Sequence, residues 1–258
     1  MRHRADPPLG CAYGRSPREG DFLAQPQPDA PITNRLLDRL SARDRTHVIR
    51  DCEKVELTFA EILDEPGEAI RNVYFPTGST VALFASMGGK DNIEVSLAGS
   101  EGVYGVPLAF GVGISPVHAM VQGSGTAWRL SPASFGRVLA RVPALRNAVN
   151  RYIYVVMSQL IQTAGCNRFH VVEQRLARSL LMTADRAHAP TFRVTHEVLA
   201  YMLGVRREGV TQAASALQRR GLIGYRRGQV TILDRRGLER ASCACYRSDI
   251  STYERTLG

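Results

Sequence analysis

No apolar run in the sequence reaches the ~18 residues that a helix needs to cross a bilayer, which excludes a spanning helix. The first ten residues, MRHRADPPLG, contain no apolar stretch of the kind that forms the centre of a secretory signal. Both absences lead us to expect a cytoplasmic protein. Its five cysteines, Cys11, Cys52, Cys166, Cys243 and Cys245, are then expected to be reduced thiols. No C-x-x-C is present. Cys243-Ala-Cys245 is a C-x-C pair that would need further ligands to hold a metal, so it is expected to be two ordinary thiols. A nucleophile elbow, a P-loop and a metal box are all missing. The histidines His47, His170, His188 and His196 have no carboxylate or Cys at ligand spacing. Enzymatic activity is therefore not expected. Lysine is scarce as well, only two of the 33 basic residues. A coding bias explains arginine in place of lysine, but it does not explain where the acids are missing.

That shortage of acids is local. Residues 1–30 carry four Arg against four acids, and residues 31–165 carry 13 Arg and Lys against 12 acids. Residues 166–258 carry 16 Arg against eight acids, which leaves about a third of the chain with +8 of the net +9. A one-sided excess of this size suggests a polyanionic partner.

Residues 1–30 mix Pro, Gly, Arg and Asp without an apolar period and are expected to be a mobile tail. Asn34 then suits a helix N-cap, with Leu36, Leu37 and Leu40 on one side. From residue 52 to 130, short β-prone runs (55–57, 73–75, 81–84, 93–97, 118–121 and 126–130) alternate with turn clusters at 65–67, 76–78, 88–91 and 99–102, the pattern of a sandwich or roll. The period changes at Ser131-Pro132. Beyond Pro143 apolar residues recur in steps of three to four through Leu145, Val149, Tyr152, Val156, Leu160 and Thr163, predicting a helix of about 20 residues. Ile153, Val155, Met157 and Ile161 lie outside that seam. A helix apolar on two sides needs two partners, and a second copy of the chain is the expected second one.

Val172, Leu176, Leu180 and Leu181 mark one side of the next helix, with Glu173, Arg175 and Arg178 expected to face outward. After Ala189-Pro190, Thr195 caps a helix that ends at Gly204, and a second helix follows Val205 and runs to Arg220, where Gly221 stops it. Two helices joined by a tight glycine turn make a helix-turn-helix. The open face of the second helix offers Arg206, Arg207, Glu208, Thr211, Gln212 and Ser215, side chains able to bond base edges and phosphates. Residues 222–233 follow as two β-prone runs around Arg227-Gly228, a basic hairpin with Arg226 and Arg227 at its tip. Helix, glycine turn, helix, glycine stop and basic hairpin together predict a winged helix-turn-helix that binds duplex DNA.

The stretch Glu173-Gln174-Arg175-Leu176-Ala177-Arg178-Ser179-Leu180-Leu181, with Thr195 to Val210 after it and the Arg207-Glu208-x-Val210-x6-Leu217 pattern, resembles the C-terminal domain of the Crp/Fnr transcription regulators. The resemblance spans about residues 32 to 235. It implies an α+β fold: an antiparallel β-roll like a cyclic-nucleotide-binding domain, a long dimerisation helix and a winged helix-turn-helix. It also implies base reading by Arg207, Glu208 and Gln212. Thr195, His196, Arg206, Thr211, Ser215, Arg226 and Arg227 are expected at phosphates. The corresponding divisions are a tail over 1–30, an effector roll over 31–142, a dimer helix over 143–167, a DNA-binding domain over 168–240 and a C-terminal tail over 241–258. A homodimer on a near-palindromic duplex and contact with RNA polymerase complete the expectation.

The effector region departs from the cyclic-nucleotide pattern. Tyr104-Gly105-Val106-Pro107 puts Val106 where the family's ribose-gripping Glu stands. Ser115-Pro116-Val117-His118 puts Val117 in place of the phosphate-binding Arg and His118 in place of its hydroxyl neighbour. Burying a phosphate charge unpaired costs several kcal/mol, so cyclic AMP is not expected to bind, and Tyr104, Gly105, Val106, Val117 and His118 remain candidates to line a pocket for an unknown small effector. The iron–sulfur branch of the family uses clustered N-terminal cysteines, whereas only Cys11 lies in this tail. Haem ligation by His118 and Cys52 is the weaker reading of two isolated residues. A constitutive DNA-binding or architectural protein with an empty roll is the alternative function.

Overall fold

The computed structural model describes residues 33–86 and 92–258. The tail expected over 1–30 and the turn expected at 88–91 lie outside the described residues. Asn34 caps α1 (Arg35–Asp38) as expected, its Oδ1 accepting from the backbone N–H groups of Leu36 and Leu37. Its amide nitrogen donates to the carbonyls of Pro76 and Gly102, which ties the helix to the sheets. Leu36, Leu37 and Leu40 are buried there. Helix α2 (Ala42–Arg50) follows, capped by Ser41.

The β-prone runs become β1 (Glu53–Leu57), β3 (Val73–Pro76), β4 (Thr80–Ser86), β5 (Asn92–Ala98), β6 (His118–Gly123) and β7 (Gly125–Leu130). A further short strand, β2 (Ile62–Asp64), carries no alternation long enough to read from sequence. All pair antiparallel, in a sheet ordered β1-β7-β3 and another ordered β2-β6-β4-β5. Leu57, Leu63, Tyr74, Val81, Tyr104, Ala119, Val121 and Ala127 bury themselves between the sheets. Alternation of side chains across each strand puts all of these but Tyr104 on the inner faces, and Tyr104 comes from a single bridge to Tyr74.

Ser131 caps α3 (Pro132–Arg141), where proline fills a first-turn position that needs no N–H donor. Helix α4 runs Pro143–Phe169, 27 residues and longer than the periodicity indicated, because it passes through Gly165. Its buried seam is Leu145, Ala148, Val149, Tyr152 and Val155. The expected continuation through Val156, Leu160 and Thr163 is a correction: none of the three is buried, and Leu160 is 40% exposed. A different set faces solvent. Tyr154, Met157 and Ile161 are 60, 56 and 73% exposed, and steps of three and four put them on one side of the helix.

Helix α5 (Val172–Ala187) buries Leu176, Leu180 and Leu181 as expected. Arg175 and Arg178, expected outward, are buried too. Arg178 pairs with Asp249 at 2.7 Å, and its guanidinium also donates to Thr163 Oγ1. Arg175 donates to Asn167 Oδ1 and to the carbonyl of Leu203. After β8 (Thr191–Arg193) come α6 (His196–Leu203), α7 (Arg207–Arg219), β9 (Ile223–Arg226), β10 (Gln229–Ile232) and α8 (Arg235–Ala241). Leu176, Leu180, Leu181, Leu199, Leu203, Val210, Leu217, Val230 and Leu238 share one core.

The expected C-terminal tail over 241–258 is also corrected. Residues Cys245–Leu257 form α9, whose Tyr253 and Leu257 enter the same core as α1, α3 and α4. Tyr253 donates to the Glu101 carbonyl at 2.9 Å. The apolar spacing of Tyr246, Ile250, Tyr253 and Leu257 is the signal for this helix.

Candidate nucleic-acid interface

Thr195 is the N-cap of α6, its hydroxyl oxygen accepting from the Val198 N–H at 3.2 Å. The helix closes at Gly204 with φ +58°, a left-handed turn that a residue with Cβ enters only with strain. The Gly204 and Val205 amides donate back to Tyr201 and Ala200. That turn swings the chain into α7, with Arg206 at its N-cap. Val210, Ala213, Ala214 and Leu217 face the core, which leaves Arg206, Arg207, Glu208, Thr211 and Gln212 exposed and Ser215 half-buried. The helix starts two residues beyond Val205 and ends one residue before the expected Arg220, with Gly221 at φ +68° behind it.

Strands β9 and β10 pair in the register Arg226↔Gln229, so Arg227 and Gly228 form a two-residue hairpin loop. Both have positive φ, +50° and +76°, as a type I′ turn requires. Strand β8 completes the wing sheet by pairing with β10. Gly228 lies beside the Thr195 methyl, so the wing tip and the start of α6 are neighbours. Arg226 and Arg227 are exposed. Among the described residues Arg206, Arg207, Arg226 and Arg227 form no ion pair with an acid.

His196 takes a different position from the phosphate contact expected of it. Its ring stacks on Tyr225 with centroids 4.5 Å apart, Nδ1 lies 3.0 Å from Thr211 Oγ1, and Nε2 is buried without a partner. Burial lowers its pKa below the usual histidine range, and the nearby Arg207 charge lowers it further. The imidazole therefore joins α6, α7 and β9 from the inside. Tyr225, which the sequence reading passed over, completes that joint by donating from its hydroxyl to the Val194 carbonyl at 2.8 Å. An aromatic residue in the first wing strand, one position before the basic tip, was the available signal.

The candidate pocket residues of the roll lie elsewhere. Tyr104 is buried, and its hydroxyl donates to Asp64 Oδ2 at 2.6 Å. Burial raises its pKa, and Asp64 raises it further. Gly105 stands at φ +95° before the short 3-10 helix Val106–Phe110, where an added Cβ would press on Val73. Val106 packs on the core. The Val117 amide bonds Ser115 Oγ. His118 opens β6, with Nδ1 2.7 Å from Glu65 Oε2. The Tyr104 hydroxyl and the His118 ring are thus committed to the carboxylates Asp64 and Glu65. Cys52 is not near them, its thiol bonding the Val48 carbonyl in α2.

The geometry over α5 to α8 agrees with comparison to known proteins: residues 174–241 match the family model of the Crp-like helix-turn-helix domain. This part of the chain is a Crp-like helix-turn-helix domain. No curated protein matches its sequence. Among solved structures it is similar to FixK2 from Bradyrhizobium japonicum, with a TM-score of 0.64 and 15% identity over 75% of this chain and 98% of that one. It is similar to the c-di-GMP-responsive global regulator CLP of Xanthomonas campestris, with a TM-score of 0.62 and 17% identity over 74% and 99%. A CRP-family regulator from Thermus thermophilus gives 0.60 and 20% over 73% and 96%. At these identities the structures bear on the fold alone. No helix among the described residues is long and apolar enough to cross a membrane.

Proposed function

We propose that the chain is a Crp/Fnr-type transcription regulator that acts as a homodimer and reads a near-palindromic duplex with two copies of α7. The observation that carries the reading is the exposed face of α7, which sets Arg207, Glu208 and Gln212 beside an unpaired basic wing tip. Arg207 is placed to fork onto guanine, Glu208 to accept from cytosine N4 and Gln212 to pair with adenine. Thr195, Arg206, Arg226 and Arg227 hold phosphates, with Thr211 and Ser215 at the edge of the same surface. His196 joins this surface through its Nδ1 contact with the exposed Thr211, while its Nε2 is buried. The Tyr154, Met157 and Ile161 stripe of α4 supports the dimer, since an apolar row on an exposed helix face is relieved by packing against a second copy. Two-fold symmetry then sets half-site centres about one turn, ~34 Å, apart.

The roll does not take cyclic AMP through a cation-anchored phosphate. Val106 and Val117 offer no charge, and Tyr104 and His118 face Asp64 and Glu65, which repel an anion. A titration of the purified protein with cyclic AMP is expected to leave its thermal midpoint and DNA affinity unchanged; a rise in either would sink this part of the reading. Selection of bound sequences from a random duplex library tests the whole. Enrichment of a palindrome is expected, and equal, salt-sensitive retention of every sequence would refute sequence-specific reading by the unliganded dimer.

A further inference from the structure

Four side chains that function in DNA reading leaves unused meet at the base of the winged helix. Cys166 lies near the end of α4, His170 is the residue that caps it, Cys243 lies in the link between α8 and α9, and Cys245 opens α9. The three thiols are buried and form a cluster of their own. Their sulfurs and a His170 ring nitrogen all lie within 4.8 Å of one another. Cys166 Sγ is 3.5 Å from Cys243 Sγ, and Cys245 Sγ is 3.5 Å from His170 Nδ1.

We propose that Cys166, His170, Cys243 and Cys245 hold one tetrahedral thiophilic divalent ion, zinc by its chemistry. A tetrahedron with Zn–S of ~2.3 Å and Zn–N of ~2.0–2.1 Å places its ligand atoms about 3.5–3.8 Å apart, the spacing of the two measured pairs. Three thiolates and one imidazole form a common closed set for structural zinc. An iron–sulfur cube binds each thiolate at a different iron, which demands a wider spread than these four atoms have. The surroundings fit an anionic centre, because three thiolates around a divalent cation leave one net negative charge. Gln162 donates its amide N–H to Cys245 Sγ at 3.0 Å, and the guanidinium groups of Arg175 and Arg178 are near enough to act on the Cys166 and Cys243 charges. Such outer partners orient the ligands of a metal site. The sequence reading treated Cys243-Ala-Cys245 as ordinary thiols because the partner on α4 is 77 residues away.

The site has a mechanical consequence. His170 stands at the bend between α4 and α5, so the ion fixes the angle at which the winged helix leaves the long helix, and it ties α9 to the same point. Binding proceeds by loss of thiol protons to solvent as Zn–S bonds form, with no change of oxidation state.

The test uses full-length protein, purified under reducing conditions without chelator, with metal content measured by mass spectrometry. One zinc per chain is expected for the wild type and for Cys52→Ser, whose thiol lies outside the cluster. Loss of the ion is expected for Cys166→Ser and Cys243→Ser. Replacement of zinc by cobalt in the wild type should give a thiolate-to-cobalt charge-transfer band, a readout that depends on no variant folding. Removal of the ion by chelator should lower the thermal midpoint. Wild type that neither carries nor takes up zinc or cobalt would overturn the proposal. So would Cys243→Ser with undiminished metal, iron with inorganic sulfide in place of zinc, or a Cys166–Cys243 disulfide in protein kept under reductant.

Discussion

Two groups of arginines in the C-terminal third look alike in sequence and do different work. On α5, Arg175, Arg178 and Arg186 are buried. Arg178 is paired with Asp249, and Arg186 with Glu101 at 3.0 Å. On α7 and the wing, Arg206, Arg207, Arg226 and Arg227 are exposed and form no ion pair among the described residues. A buried cation must be paired or hydrogen-bonded to offset its desolvation, so the first group is part of the architecture that joins α5 to α9 and to the roll. The second group keeps its field for a ligand. A net charge of +8 in this region therefore overstates the DNA footprint, which is set by the cations that stay unpaired.

The sharpest way to break the contrast is to remove the proposed two-fold symmetry on which the second group would depend. Ile161→Glu puts a charge in the apolar stripe of α4 and should turn the dimer into a monomer by light scattering. Operator affinity should then fall by roughly 10²-fold or more, since the two half-sites no longer act together. An unchanged mass would show that the stripe is not the interface. Leu217→Ala empties a fully buried position of the winged-helix core and should lower stability by about 2–5 kcal/mol in denaturant unfolding. A loss below that range would mean that this core relaxes around the cavity. Arg227→Ala should weaken binding to all duplexes alike and lower the salt slope by about one. Loss confined to certain sequences would mean that the wing reads bases.

The smallest effect concerns a carboxyl in the architectural region. Glu94 lies on β5 around one cavity with Arg186, Met202 and Leu203. Burial raises its pKa from 4.5 to about 8, against the opposing pull of Arg186 and the Gln122 amide. A folded-state value above the unfolded one means that its stabilising contribution is full below pH 4.5 and is lost as pH rises through about 8. Glu94→Gln should flatten the pH dependence of the thermal midpoint across that window. A profile with the wild-type slope would place the titrating group elsewhere.

The reading unit was the most legible part of the chain, because its signals are local. Thr195, Gly204 and Gly221 act on their own turns, and a two-residue hairpin loop needs only Arg227 and Gly228. The long helix and the first half of its seam, Leu145, Val149 and Tyr152, were legible, but the second half was not, since contact with the roll and α9 decides which of several apolar residues are covered. Long-range pairing accounts for the other misreadings. Arg178 looked outward until Asp249, 71 residues away, was brought against it. His196 looked free until Tyr225 stacked on it. The cluster of Cys166, His170, Cys243 and Cys245 is two short pairs in sequence, Cys166-x3-His170 and Cys243-x-Cys245, and exists only because α9 folds back onto α4.

The most direct test of the reading helix is to repeat the duplex selection with Arg207→Ala beside the wild type. Loss of preference at one position in each half-site, with ~1–3 kcal/mol weaker binding and the rest of the palindrome intact, is the expected result. An unaltered sequence preference would contradict the assignment of α7 as the element that reads DNA through Arg207.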